Sequence, residues 1–394
     1  MKRFASLPIL LVVLLAVLIA GGCGRTPAFD AADFAVPLYT PTHASGFAVR
    51  GAEGSDAVLV AIRNPWQGAT DVEQHLLLLP EAAPVPAGFD GVVVRTPVRR
   101  VICMSSSHVA MFDALGEIGR VRGVSGIDYI SNDYVRAHRA CGEVRDVGPD
   151  TNMNFELLAA LRPDVVLLYG VTGENSVATA KLRELHIPYV YVGDYVEQSP
   201  LGKAEWMVVC AELCGCREKG CETFGRIADR YETVRRQIAT YVGEHAPDWA
   251  CRPKALLNAP YRDTWFMPSA ENYMVRLIRD AGGDTFTVAE KGSASLPVDM
   301  EQAYLLAADA DVWLNPGMYD TLAEFLAQNP KFADMPVVRE ERVWNNNLRR
   351  TPAGGSDFWE SGVVRPDVVL SDLFAILYPG SGFDHIPVYY HALR

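Results

Sequence analysis

Apolar positions in this chain recur in two different periods that alternate along it. Phe224, Ile227, Ala228, Tyr231, Val234, Ile238 and Tyr241 follow at steps of three and four, which places them on one stripe of an α-helix. Asp229, Arg230, Glu232, Arg235 and Arg236 fill the opposite face, no Pro interrupts, and Gly243 stands where a C-cap would fall. The pattern predicts a helix over 217–243, roughly 35–40 Å long at 1.5 Å per residue. On both sides of it, short continuous apolar runs alternate with helical patterns. Strands are expected at 100–104, 121–125, 164–169 and 189–192, with helices at 108–115, 154–161 and 177–185. The alternation resumes with strands at 254–257, 264–267, 311–314 and 342–345, and helices at 272–281, 301–308, 321–328 and 368–378. Such alternation predicts parallel sheets covered by helices.

Two stretches repeat one another. Asn154-Phe155-Glu156 opens an apolar helix that leads to Asp164, an apolar strand and Gly170. Asp299-Met300-Glu301 leads likewise to Asp311, an apolar strand and Gly317, with two more residues between Glu and Asp. The expected fold is therefore α/β: two Rossmann-like lobes with parallel sheets, joined by one long α-helix acting as a strut. Ahead of them, 47–50, 57–62 and 75–80 read as strands separated by turns at Gly54-Ser55 and Asn64–Gly68. This is a small N-terminal β appendage. The chain then divides into a leader at 1–23, tether and appendage at 24–97, the N-terminal lobe at 98–200, connecting helices at 201–250 and the C-terminal lobe at 251–394.

The leader fixes an expected location. Lys2 and Arg3 precede an apolar run from Leu7 to Ala20, and Gly21-Gly22-Cys23 follows. A charged start, a short apolar core and small residues describe a secretory signal, and the run is short for a membrane span. Cys directly after small residues resembles the bacterial lipobox, with Ala20 in place of the usual Leu. The expectation is that Cys23 becomes the lipid-bearing first residue. Cys103, Cys141, Cys210, Cys214, Cys216, Cys221 and Cys251 remain, an odd number that cannot form a complete disulfide framework. The spacing from Cys210 to Cys221 departs from the paired knuckles of zinc sites, so free thiols or a local disulfide are expected there. A net charge of −12 argues against nucleic acid or anionic lipid as the main partner.

No phosphate loop, nucleophile elbow or zinc-protease motif occurs. Ser105-Ser106-Ser107-His108 opens a helix after a strand, where serine caps and an anion site are both open readings. A serine hydrolase would need a base and an acid that the spacing does not supply.

With its lipobox, its two lobes on one helix, and the blocks FELLAALRPDVVLLYG and PLGKAEW, the chain resembles the solute-binding lipoproteins of ABC importers for siderophores, heme and cobalamin. RNPW, DTWFMPS, VWNNN and GGSDFWESGVVRPD resemble a branch associated with iron complexes. The resemblance implies a helical-backbone periplasmic binding protein that is not an enzyme and has no intrinsic cofactor or metal. Its cargo would be a chelated metal, a ferric siderophore first, with heme or cobalamin as alternatives. It would act as a monomer, lipid-anchored in the cell envelope, and deliver cargo to a permease dimer with its ATPase. Carried onto this chain, the cleft would be lined by Ser106, His108, Tyr129, Tyr169, Trp265, Tyr319, Asn346, Arg349 and Trp359. Aromatic faces suit a macrocycle or catecholate, and Arg349 suits an anionic complex. Glu156 and Glu301 match the paired acids that dock such proteins to the permease, one per lobe. A bare-ion binding protein would need several His or carboxylates, and His108 is the only His at a strand end. A chelatase-like enzyme is disfavoured by the export signal.

Overall fold

The predicted strands of the described residues gather into three five-stranded sheets and a two-stranded ribbon, and the first sheet is larger than its sequence pattern suggests. The structure, a computed structural model, describes residues 28–171, 173–260, 264–289 and 291–394. The leader and Cys23 lie outside the described residues. β1 (Val36–Tyr39), β2 (Phe47–Gly51), β3 (Val58–Arg63), β4 (Glu73–Pro80) and β5 (Val92–Thr96) form one sheet in sequence order. All pairs are antiparallel except β4–β5. β1 and β5 escape the pattern because Pro37 interrupts one and the other is a brief Val run. Alternation along the strands sends Val49, Val60, Ile62, Leu76, Leu78 and Val94 into the main core. Phe34, Leu59, Leu77 and Leu79 make a small core on the other face. Phe34 is buried, so the fold begins well ahead of the first expected strand at 47–50.

Two buried carboxylates fasten this sheet to the N-terminal lobe. Glu205 accepts the backbone N–H groups of Thr42 and His43, both at 2.8 Å, and the Tyr39 hydroxyl at 2.7 Å. Glu197 accepts N–H groups from Ser45 and Gly46 and from the Trp206 indole. Glu197 and the PLGKAEW block that follows it thus form a clamp, the two charges met by aimed donors.

β6 (Val101–Cys103), β7 (Val121–Val124), β8 (Arg145–Asp146), β9 (Val165–Leu168) and β10 (Tyr189–Tyr191) form the N-terminal lobe sheet, order β10-β9-β6-β7-β8, all parallel. The C-terminal lobe holds β11 (Lys254–Leu257), β12 (Trp265–Pro268), β13 (Asp284–Thr285), β14 (Ser295–Val298), β15 (Val312–Leu314), β16 (Val343–Asn345) and β17 (His391–Ala392). Its sheet runs β13-β11-β15-β16-β17, with only β17 antiparallel, and β12–β14 form a separate antiparallel ribbon.

The repeated blocks take equivalent places: β9 lies beside β6, and β15 beside β11, the first strand of each lobe. Their aspartates also do the same work. Asp164 accepts the N–H groups of Arg99 at 2.6 Å and Arg100 at 2.8 Å, and Asp311 accepts that of Lys254 at 2.8 Å. Each pins the start of the neighbouring strand.

The strut runs Arg217–His245, 29 residues and about 43 Å. Of the expected stripe Phe224, Ile227, Tyr231 and Ile238 are buried and Ala228, Val234 and Tyr241 half-buried, while Val242, outside that stripe, is buried as well. Gly243 is not its cap; the helix continues through it, and Ala246 occupies the cap position. The strut packs on the helix Met207–Cys214 before it and the helix Pro366–Leu377 of the far lobe. Tyr231 donates to Asp280 at 2.8 Å. One continuous apolar core therefore runs from the N-terminal sheet through both lobes. The seven described cysteines are free.

Candidate functional site: a cleft between the lobes

Loops leaving the carboxyl ends of β6, β7, β11, β15 and β16 converge on a cavity of about 1000 Å³. This is the edge where open α/β sheets present their ligand loops. Ser105, Ser106, Tyr129 and Ile130 come from the N-terminal lobe; Asn258, Asn315, Met318, Tyr319, Asn346 and Trp359 come from the other. A second cavity of about 550 Å³ adjoins it and shares Asn258, Asn315 and Trp359.

Local structure aims these side chains. Ser105 caps the helix Ser106–Ala114 through the N–H of Ser107, at 3.3 Å, so the serines act as caps and Ser106 is left facing the cavity. Asp146 holds the Gly126 turn through the N–H groups of Gly126 and Ile127 and so presents Tyr129, which is 56% exposed. Asn258 and Asn315 follow β11 and β15 directly with φ of 63° and 57°, the left-handed region that Asn tolerates better than most residues. In the VWNNN block the three amides divide the work. Asn345 Nδ2 donates to the carbonyls of Gly317 at 2.6 Å and Tyr319 at 2.8 Å, and Asn347 Nδ2 to Tyr319 at 3.1 Å. These bonds fix the loop that displays Met318 and Tyr319. Asn346 Nδ2 is buried without a partner, as is Asn315 Oδ1.

The lobes meet beneath the cleft. Gly355 lies so close to the Tyr129 carbonyl that a Cβ would come within 2.0 Å of its oxygen. Ser106 Oγ donates to the Trp359 carbonyl at 3.3 Å, and Glu360 accepts the Ser131 N–H at 2.7 Å. Burial, opposed by its backbone hydrogen bonds, raises the Glu360 carboxyl to about 7.

Of the nine sequence-expected positions, Ser106, Tyr129, Tyr319, Asn346 and Trp359 line the larger cavity. Four are placed elsewhere. Trp265 is fully buried, stacked at 5.2 Å on Trp313 within an aromatic core, its indole donating to the Leu257 carbonyl. Strand alternation turned Trp265 inward and left Phe266 exposed. His108 is also fully buried, Nε2 3.7 Å from Asp194 Oδ1, because the face of its helix that carries it packs inward. Asp194 stays below the usual carboxylate range: burial works to raise it, but His108 and Lys203 outweigh that. Burial lowers Lys203 against the pull of Asp194. Tyr169 is half-buried beneath Tyr195, ring centroids 5.4 Å apart. Arg349 pairs with Asp357 at 2.9 Å and faces a separate cavity beside the strut. Sequence reasoning missed Asn258, Asn315 and Met318. The available signal was an Asn directly after two apolar strands of the C-terminal lobe.

Glu156 and Glu301 are exposed in the first turns of Phe155–Leu161 and Met300–Ala308, after the caps Asn154 and Asp299. Neither forms an ion pair with a described residue within 4 Å. A helix feeding a parallel strand starts at the edge where that strand ends, so both acids sit at the cleft edge of their lobes. Among the described residues, no group of three His, Cys, Asp or Glu converges as a metal site.

The model of the periplasmic binding protein family matches residues 101–345. The chain belongs to that family. With one long helix joining its lobes, it is a helical-backbone periplasmic binding protein of the ABC-importer class. A lipoprotein of Methanocaldococcus jannaschii is 28% identical over 323 residues, 78% of this chain and 73% of the relative. A periplasmic heme-binding protein of Pseudomonas aeruginosa superposes with a TM-score of 0.56 at 17% identity, over 75% of this chain and 98% of its own. A siderophore-binding protein of Vibrio cholerae, solved with Fe3+-Desferal, superposes with a TM-score of 0.51 at 16% identity, over 71% of this chain and 99% of its own. About a quarter of this chain thus has no counterpart in either structure, and the family match begins after β5.

Proposed function

We propose that this periplasmic binding protein captures a chelated metal, a ferric siderophore first among the candidates, and delivers it to an ABC importer. The observation that carries the reading is the larger cavity itself. Tyr129, Tyr319, Met318 and Trp359 offer apolar faces, and Asn346, Ser106 and Asn315 offer hydrogen bonds, an arrangement suited to a broad complex with a polar rim. A chelate brings its own metal donors, which fits walls of aromatic and amide groups. The ligands of the two structural neighbours, heme and an iron siderophore, are of this kind. Cobalamin fits the same chemistry and is the second candidate.

In this reading Cys23 carries the lipid that anchors a monomer in the cell envelope, and Glu156 and Glu301 meet cations on a permease dimer served by its ATPase. Cys23→Ser should release the protein from membranes, and a soluble wild type with unmodified Cys23 would remove the anchor. Absorbance and native mass spectrometry of protein purified from its own host test the cargo; recovery of a bare ion or of a turned-over product refutes it. Docking has its own test. Glu156→Ala and Glu301→Ala should leave chelate affinity near wild type and lower uptake, since losing one partner of a buried interfacial pair costs ~2–5 kcal/mol. Loss of chelate binding in either folded variant would place these acids in the pocket.

A further inference from the structure

The smaller cavity is walled on one side by a segment outside the family match, the β3–β4 turn of the N-terminal sheet. Trp66, Gln67, Gly68 and Ala69 form that wall. The turn is locked from within and from below. Asn64 N donates to the Val72 carbonyl at 2.9 Å, and Asn64 Oδ1 accepts the Val72 N–H at 3.0 Å. Gln67 N donates to the Gly170 carbonyl at 2.9 Å, and the Trp66 ring meets Tyr191 edge-on at 4.9 Å. Gly170 has to be Gly, since a Cβ there would stand 2.3 Å from the Trp66 Cβ. The facing wall is Asn272 and the β12–β14 ribbon around Ser293–Ser295. The opposing groups are therefore amides and hydroxyls. The two charged groups of these walls are engaged already: Glu197 holds the Ser45 and Gly46 N–H groups, and Arg63 pairs with Glu73 at 2.9 Å. Trp359 lines both cavities, so a ligand seated in the larger one can extend past it into the smaller.

We propose that the N-terminal sheet is a third wall of the binding site, and that its β3–β4 turn selects chelates bearing an uncharged, hydrogen-bonding side arm. The arm lies in the smaller cavity between Gln67 and Ser295 while the chelated metal occupies the larger. This rests on the chelate reading above, and the test separates the two.

The mature chain is titrated with two matched pairs, one member with a neutral arm and one without. These are dicyanocobinamide, whose rim carries neutral amide arms, against dicyanocobyrinic acid, whose arms are carboxylates, and N-acetylated ferrioxamine B against the ring-closed ferrioxamine E, with haemin alongside. Wild type should favour the member with the neutral arm in the pair it retains. Gln67→Ala should weaken that member about three- to tenfold, the loss of one neutral hydrogen bond, and leave the other member unchanged. Ala69→Trp, which fills the smaller cavity, should bring the two members level, with melting temperature showing that the fold stands. If Ala69→Trp shifts both members equally, or neither, while Trp359→Ala weakens both, the wall proposal falls and the chelate reading stands. Retention of haemin alone, whose arms are carboxylates, also overturns the wall. Retention of none of the five removes the chelate reading and this inference together.

Discussion

In both lobes an exposed acid opens a helix, an aspartate follows it, and the next strand lies beside the lobe's first strand. The loops that leave those strands then go to different uses. In the N-terminal lobe the exit of β9 reaches Gly170, which the Trp66 turn covers. In the C-terminal lobe the exit of β15 runs through Asn315 to Tyr319 and stays open, its Gly317 carbonyl held by Asn345. The cores differ in the same sense. Behind the open loop stand Trp265, Trp313, Phe325 and Phe332, while this face of the N-terminal lobe's sheet is packed mainly with Val, Ile and Leu. One lobe serves as the platform for an added sheet, and the other supplies most of the larger cavity. A shared scaffold block therefore fixes where the cleft loops emerge, and the residues just beyond the strand decide whether they are covered or open.

The sharpest break of that contrast is between two tryptophans of the C-terminal lobe. Trp265→Ala should cost stability by ~3–5 kcal/mol, read from denaturant unfolding, because it empties an aromatic core. Trp359→Ala should leave stability near wild type and weaken chelate binding by ~1.5–3 kcal/mol in an absorbance titration, because the ring is 47% exposed in the cleft. A Trp265→Ala protein that stays stable but loses binding would return that residue to the site. The equivalence of the two aspartates is tested next. Asp164→Ala should cost ~1–2 kcal/mol and Asp311→Ala about 1 kcal/mol, since the first holds two N–H groups and the second one. A larger loss at Asp311 would end the idea that the blocks do like work.

A pH-dependent effect is expected where the lobes touch. Glu360 has a folded value near 7, above the ordinary value of about 4.5 that it regains on unfolding. A raised carboxyl disfavours its ionised form in the native state, so its contribution to stability declines as pH rises from about 4.5 to about 7. Glu360→Gln keeps an oxygen for the Ser131 N–H and removes the titration. Its melting temperature should therefore gain on wild type as pH goes from 5 to 8, by on the order of 1–3 kcal/mol of stability. A constant difference across that range would show that Glu360 is not the titrating contact.

Much of the architecture was present in local pattern. The strut stripe, the strand positions and the two repeated blocks follow from periods of 3.6 and 2, which any observer of the sequence can count. Hydrogen bonding to the backbone and burial of one face act on neighbours in the chain, so these elements are legible one by one. The family resemblance placed the cleft at the strand ends, and Ser106, Tyr129, Tyr319, Asn346 and Trp359 do line it. What the sequence could not decide was which way a strand-end side chain turns. Trp265 and Phe266 are adjacent aromatics of one strand, and only the pairing of β12 with β14 and the packing of Trp313 sent the first inward. His108 was sent to Asp194 by the packing of its helix, and Arg349 was drawn by Asp357 to the far side of its loop. The place of the N-terminal sheet was equally hidden. Its turn reaches the cleft through Gly170, more than a hundred residues later in the chain. Contacts of that range leave no period in the sequence, because they are set by which surfaces the folded lobes bring together.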